Sequence, residues 1–192
     1  MRIHPEGIGM RVQDVAELLT NEARFGTDSD LTNSAMELAR QHVAEHSAQV
    51  RRGLSKAARI NTTWQPALAA CDTPETASKD ELATMIRHAD LKSINLDTYR
   101  EEHHYLVFPF EQVSAIRALY QARAQKARQD AEPYYETMLY TMSHPHEENS
   151  GQNFTWASHQ FAGIHIDVQN AEKWDHELAA LPLQANVPTA ES

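Results

Sequence analysis

The sequence predicts a mainly α-helical protein: a helical bundle with one long central helix, a small β element and extended terminal arms. Three observations predict it. Apolar residues recur at three- and four-residue steps through most of the chain, as they do on a helix with one buried face. Two short segments, 103–108 and 161–168, instead show the aromatic density or strict alternation of strands. Pro5, Gly7 and Gly9 near the start, and Pro182 and Pro188 near the end, oppose regular structure. The expected organisation is an N-terminal arm over 1–10, one helical domain over 11–180 and a C-terminal tail over 181–192.

Each element follows from local pattern. Val12, Val15, Ala16, Leu19 and Ala23 place a helix over 11–24, with Gly26 as its stop. Asp28, Ser29 and Asp30 offer N-caps for a second helix. That helix is expected to run from Leu31 to Ile60 as the long central element. Met36, Ala39, Val43, Val50, Leu54 and Ala57 form its heptad-like seam, and Ser47 fills the one polar gap. Such a seam serves equally inside a subunit or between subunits. Gly53 weakens the helix by up to about 1 kcal/mol relative to alanine, which points to a close contact there.

Trp64 to Cys71 fits a short helix with Pro66 in its first turn, broken by Asp72-Thr73-Pro74. Ser78 and Glu81 form a capping box ahead of Leu82, Met85, Ile86 and Ala89. His103 to Phe110 reads as a short strand that Pro109 ends or confines to an edge. Val113, Ile116, Leu119 and Tyr120 restore helical period to about Asp130, and Pro133 is expected to start a further helix with Tyr134, Met138 and Met142. After a polar loop, Ile164, Ile166 and Val168 alternate with His165 and Asp167. This is the pattern of a half-exposed strand, expected to pair with 103–108.

Composition bounds the function. The chain has 192 residues, 41% apolar and 23% charged, which suits one folded core. No apolar run approaches the roughly 20 residues of a membrane-spanning helix. The opening residues lack a secretory signal pattern, so synthesis in the cytoplasm is expected, with later incorporation in a virus particle left open. A net charge of −10 opposes broad nucleic-acid binding, despite local basic sets at Arg51, Arg52, Lys56 and Arg59 and at Arg117, Arg123, Lys126 and Arg128. Cys71 is the one cysteine and reads as a small buried thiol.

Eleven histidines raise the question of metal. His42-Val43-Ala44-Glu45-His46 has the form H-x-x-E-H and places two imidazoles four residues apart on one helix face. It resembles the zinc motif of inverzincin peptidases, which implies zinc on His42 and His46, a water-activating Glu45 and a further carboxylate ligand from another helix. Glu101 and His104 make one E-x-x-H half-site of the di-iron kind, with no second copy. His144-Pro145-His146-Glu147-Glu148 could bind a metal at the surface, with His159, His165 and Asp167 joining it only if the fold brings them together. No nucleophile elbow, P-loop or dinucleotide fingerprint occurs, so no catalytic residue is assigned.

Two functional readings follow. The first is a structural subunit of a large symmetric assembly, such as a virus or phage head-to-tail connector. Its partners would be further copies of itself and neighbouring assembly proteins, and it would need no cofactor. The alternative is a helical metal-binding protein or metal-dependent hydrolase that holds zinc or another divalent transition metal at His42 and His46.

Overall fold

A computed structural model describes residues 1–20, 29–89 and 104–181, together with the backbone of 93–95 and 100–102. The protein is mainly helical, with seven α-helices and a three-stranded antiparallel sheet among the described residues. It divides into two compact units that part between Ile116 and Arg117.

The first unit opens with a hairpin where an extended arm was expected. Strands β1 (Arg2–His4) and β2 (Gly7–Arg11) are antiparallel, and β2 pairs in turn with β5 (Tyr105–Phe108). Ile8 stands opposite Phe108, and Met10 opposite Leu106. All four of these side chains are buried, so the sheet has one face in the core. The glycines that signalled irregularity instead permit close approach: a Cβ on Gly7 would collide with the carbonyl oxygen of Phe108. A separate two-stranded pair joins β3 (Ser93–Asn95) to β4 (Arg100–Glu102).

Helix α1 (Val12–Thr20) starts where β2 ends and buries Val15, Ala16, Leu18 and Leu19. Gly26 and Asp28 lie outside the described residues. The expected long central helix is two helices, α2 (Ser29–Glu45) and α3 (Ser47–Ile60), separated at His46. His46 has φ −115° and ψ 28°, off the helical values, while hydrogen bonds from His46 N to His42 O and from Val50 N to His46 O carry the chain across. Of the expected seam, Ala39, Val43, Val50 and Leu54 are buried while Met36 and Ala57 are half-buried; Ala35 and Ala58 take the buried positions beside them, and Gly53 is buried too. This seam lies inside the unit.

Helix α4 (Gln65–Ala70) carries Pro66 in its first turn, as its sequence required. Helix α5 (Lys79–His88) opens on the capping box: Ser78 N donates to Glu81 Oε2 at 2.8 Å, and Glu81 N to Ser78 Oγ at 3.3 Å. The Ser78 N–H and the Ser78 hydroxyl both donate to the ionised carboxylate, and together they hold the Glu81 carboxyl below its ordinary value. Helix α5 is the hub of the unit, lying against α1, α2, α3 and α4. Its Leu82, Met85 and Ile86 are essentially inaccessible to solvent.

The second unit is a helical hairpin. Helix α6 (Val113–Ser143) gives its first turn to the first unit and its remaining length to the second, and α7 (Ser150–Ala179) returns alongside it. Pro133 lies inside α6 and does not begin a new helix. Proline removes one donor, which leaves the Gln129 carbonyl without its usual partner. Because Gln129 is exposed, water can take that place. Asn149, at φ 63°, adopts the left-handed conformation ahead of α7, a geometry asparagine tolerates. Ser150 Oγ then ties the turn back by donating to the Thr141 carbonyl at 3.0 Å.

The strand expected at 161–168 is a correction: it lies within α7, and β5 takes β2 as its partner. Alternation over eight residues was a local coincidence inside a longer seven-residue repeat. Phe154, Phe161 and Val168 alternate with Ala157, Ile164 and Ala171 to form a shielded stripe, whereas Ile166 faces solvent at 56% exposure. The hairpin is antiparallel, with Arg117 bound to Asp175 at 3.0 Å and Arg128 paired with Glu172. Tyr135 meets Phe161, and Tyr134 meets Trp156 edge-on.

Two glycines give opposite expectations. Gly7→Ala should destabilise the protein by about 3 kcal/mol, because a Cβ there drives the hairpin off Phe108. Gly163→Ala, with open space around its Cβ in a helix interior, should stabilise it by roughly 0.5–1 kcal/mol. Urea unfolding of the two variants beside the parent chain tests both signs.

Candidate functional site

The polar group of greatest chemical interest in the first unit is built from three histidines. His42 lies in the last turn of α2, on the same buried face as Ala35, Ala39 and Val43. His46 sits one turn later, at the break before α3. His104 directly precedes β5, and its carbonyl accepts a hydrogen bond from Val12 N at 3.1 Å, which fixes its backbone at the end of the β2–β5 ladder. Helix α2 packs against β5, so the third imidazole is delivered to the first two. The ring centroids are 4.6 Å apart for His42 and His46, 5.9 Å for His46 and His104, and 6.3 Å for His42 and His104.

His42 is 5% exposed, and its Nε2 has no hydrogen-bond partner among the described residues. Leaving such an atom unsatisfied costs about 1–3 kcal/mol. Burial, followed by the proximity of His46 and His104, pushes the His42 pKa down to about 4. The ring is therefore neutral at pH 7 and keeps a lone pair available to a proton donor or a metal ion. As these side chains stand, no three His, Cys, Asp or Glu groups among the described residues, the three histidines included, are placed to hold a metal ion.

His42 and His46, predicted from sequence, are thus in contact. Glu45 is exposed, and among the described residues the third neighbour is a histidine from a strand edge. Among the described residues, the two histidines are the part of the inverzincin motif that meets in this cluster. His104, first noticed in an E-x-x-H pattern, belongs to this cluster; the side chain of Glu101 lies outside the described residues. Nothing local in the sequence joins position 104 to positions 42 and 46.

The other candidates are dispersed. His144 stacks on Tyr140 at 4.3 Å, and His165 stacks on Phe161 at 5.8 Å. His146, His159 and Asp167 are exposed, and the described residues form no metal-ligating group from this set. The Cys71 thiol is buried and donates to the Ala67 carbonyl at 3.3 Å, and burial raises its pKa. Members of both basic sets pair with acids: Arg51 with Asp72, Arg117 with Asp175, Lys126 with Asp130 and Arg128 with Glu172. Among the described residues, no helix is long and apolar enough to cross a membrane.

A second feature lies in the helical hairpin. Tyr135, Leu139, Tyr140, Met142, Trp156 and Ile166 are 47–65% exposed. Between α6 and α7, an open groove is lined by the apolar Ala131, Tyr135, Phe161 and Val168 and by the polar Arg128, Gln129, Glu132, His165 and Glu172. No protein-family model matches the chain, and no curated protein or solved structure is found to be similar to it.

The buried imidazole sets a pH dependence. His42 has a folded pKa of about 4 against an ordinary 6.5, so the unfolded chain binds more protons between those values. Its contribution is complete above pH 6.5 and is lost as pH falls toward 4, by up to roughly 3 kcal/mol. Unfolding measured in the presence of chelator should show this loss, and His42→Leu should remove most of it.

Proposed function

We propose that the protein is a structural subunit of a larger symmetric assembly, and that the helical hairpin of the second unit docks against another copy of the chain. The observation that carries this reading is the set of six large apolar side chains left about half or more exposed on the hairpin. Two helices alone shield only the stripes that face each other, which leaves these side chains in solvent unless another chain covers them.

The groove between α6 and α7 supports the same occupant. Its apolar lining suits a helix, and its polar lining includes both Arg128 and the acids Glu132 and Glu172. A two-fold related copy can thus set basic against acidic groups across the junction. The net charge of −10, with Arg117, Lys126 and Arg128 paired to acids, argues for protein partners over nucleic acid. We extend the proposal to a component of a virus or phage particle, such as a head-to-tail connector, where repeated helical contacts between copies are the working surface.

Native mass spectrometry of the full-length chain should give a defined oligomer. Met142→Glu combined with Ile166→Glu should weaken it by at least about tenfold while leaving the helical circular-dichroism signal intact, since both side chains face solvent. A monomer at all concentrations, with the native apolar residues in place, would overturn the reading.

A further inference from the structure

The histidine cluster of the first unit carries an inference that does not depend on assembly. We propose that His42, His46 and His104 together form a binding site for a divalent transition-metal ion of the zinc class, at the junction of α2, α3 and the leading edge of β5.

Two independent observations converge on it. The first is spacing. Three imidazoles bound to one tetrahedral ion through nitrogens about 2.0–2.1 Å away have ring centroids roughly 5 Å apart. The three separations here, 4.6, 5.9 and 6.3 Å, bracket that distance. The second is the buried Nε2 of His42, a ring nitrogen that nothing among the described residues satisfies. Core packing alone explains neither. An apolar residue at position 42 would fill the same face of α2 as Ala39 and Val43 without stranding a polar atom.

The set closes by rotation of side chains. His42 is held by its surroundings, whereas His46 and His104 are partly exposed, and rotation of their rings would bring the three donors to a common ion. The break in helical geometry at His46 contributes, because it releases that residue from the strict helical direction of its neighbours. An all-imidazole donor set selects zinc, cobalt, nickel or copper over calcium or magnesium, which require oxygen ligands. With three protein donors, a fourth position is left for water or another group.

The experiment titrates metal-free, full-length protein with Zn²⁺ by calorimetry and with Co²⁺ by visible absorption. The expected result is one ion per chain, with the intense d–d bands of a tetrahedral nitrogen-rich site. His46→Ala and His104→Ala should each weaken binding by at least about 100-fold, and zinc should no longer raise their melting temperature. Both replaced side chains are partly exposed, so these variants should fold, which circular dichroism in chelator verifies. His144→Ala with His146→Ala should bind as the parent does. The proposal is overturned if the parent chain takes up no stoichiometric zinc, if either single variant retains parental affinity, or if binding is lost in the 144/146 variant.

Discussion

The antiparallel ladder between Gly7–Arg11 and Tyr105–Phe108 is the constraint on which the first unit depends. It sets Ile8 opposite Phe108 and Met10 opposite Leu106, and thereby joins the beginning of the chain to a segment beyond five helices. Closing so long a loop carries an entropic cost that local structure cannot offset, so buried side chains on the sheet face must supply the compensation. Gly7 is part of this arrangement, because the approach to the Phe108 carbonyl leaves no room for a side chain. Helix α1 begins at the next residue after β2, and its buried face is thus delivered directly to α5. The same ladder anchors His104 through Val12 N and holds it beside His42 and His46. Fold and histidine cluster therefore share one long-range cause.

The second unit is governed by different physics. Its helices are neighbours in sequence, and a short turn closes them at little entropic cost. Ala124, Ala131, Ala157 and Ala171 are buried and small, so the shared stripe is thin. The ion pairs along its length are partly exposed and contribute little each. The aromatic and aliphatic residues outside the stripe are left facing solvent, and that imbalance between buried and exposed apolar surface is what a neighbouring chain would correct.

Much of this was legible in the sequence wherever the signal was local. The Ser78–Glu81 capping box, the Pro66-initiated helix and the strand before Pro109 all follow from residues within one or two turns of each other. Pattern was less reliable where a window was short or a residue had two uses. Ile164, Ile166 and Val168 alternate like a strand, yet the repeat from Phe154 to Ala171 shows them on a helix once some twenty residues are read together. Pro133 resembles a helix start, but it sits on an exposed part of α6 where a lost donor is tolerated. Pro5, Gly7 and Gly9 indicated an arm because their role in a sheet requires a partner strand from far along the chain.

By itself, then, the sequence determined the helical class, most helix positions, the strand at 105–108 and the adjacency of His42 and His46, because each depends on contacts within a few residues. Tertiary structure alone decided that β2 is the partner of β5, that the seam of α2 and α3 faces α5, and that His104 completes the histidine cluster. Those outcomes depend on which distant surfaces bury one another. No local periodicity encodes that choice, which is made only when the whole core is closed.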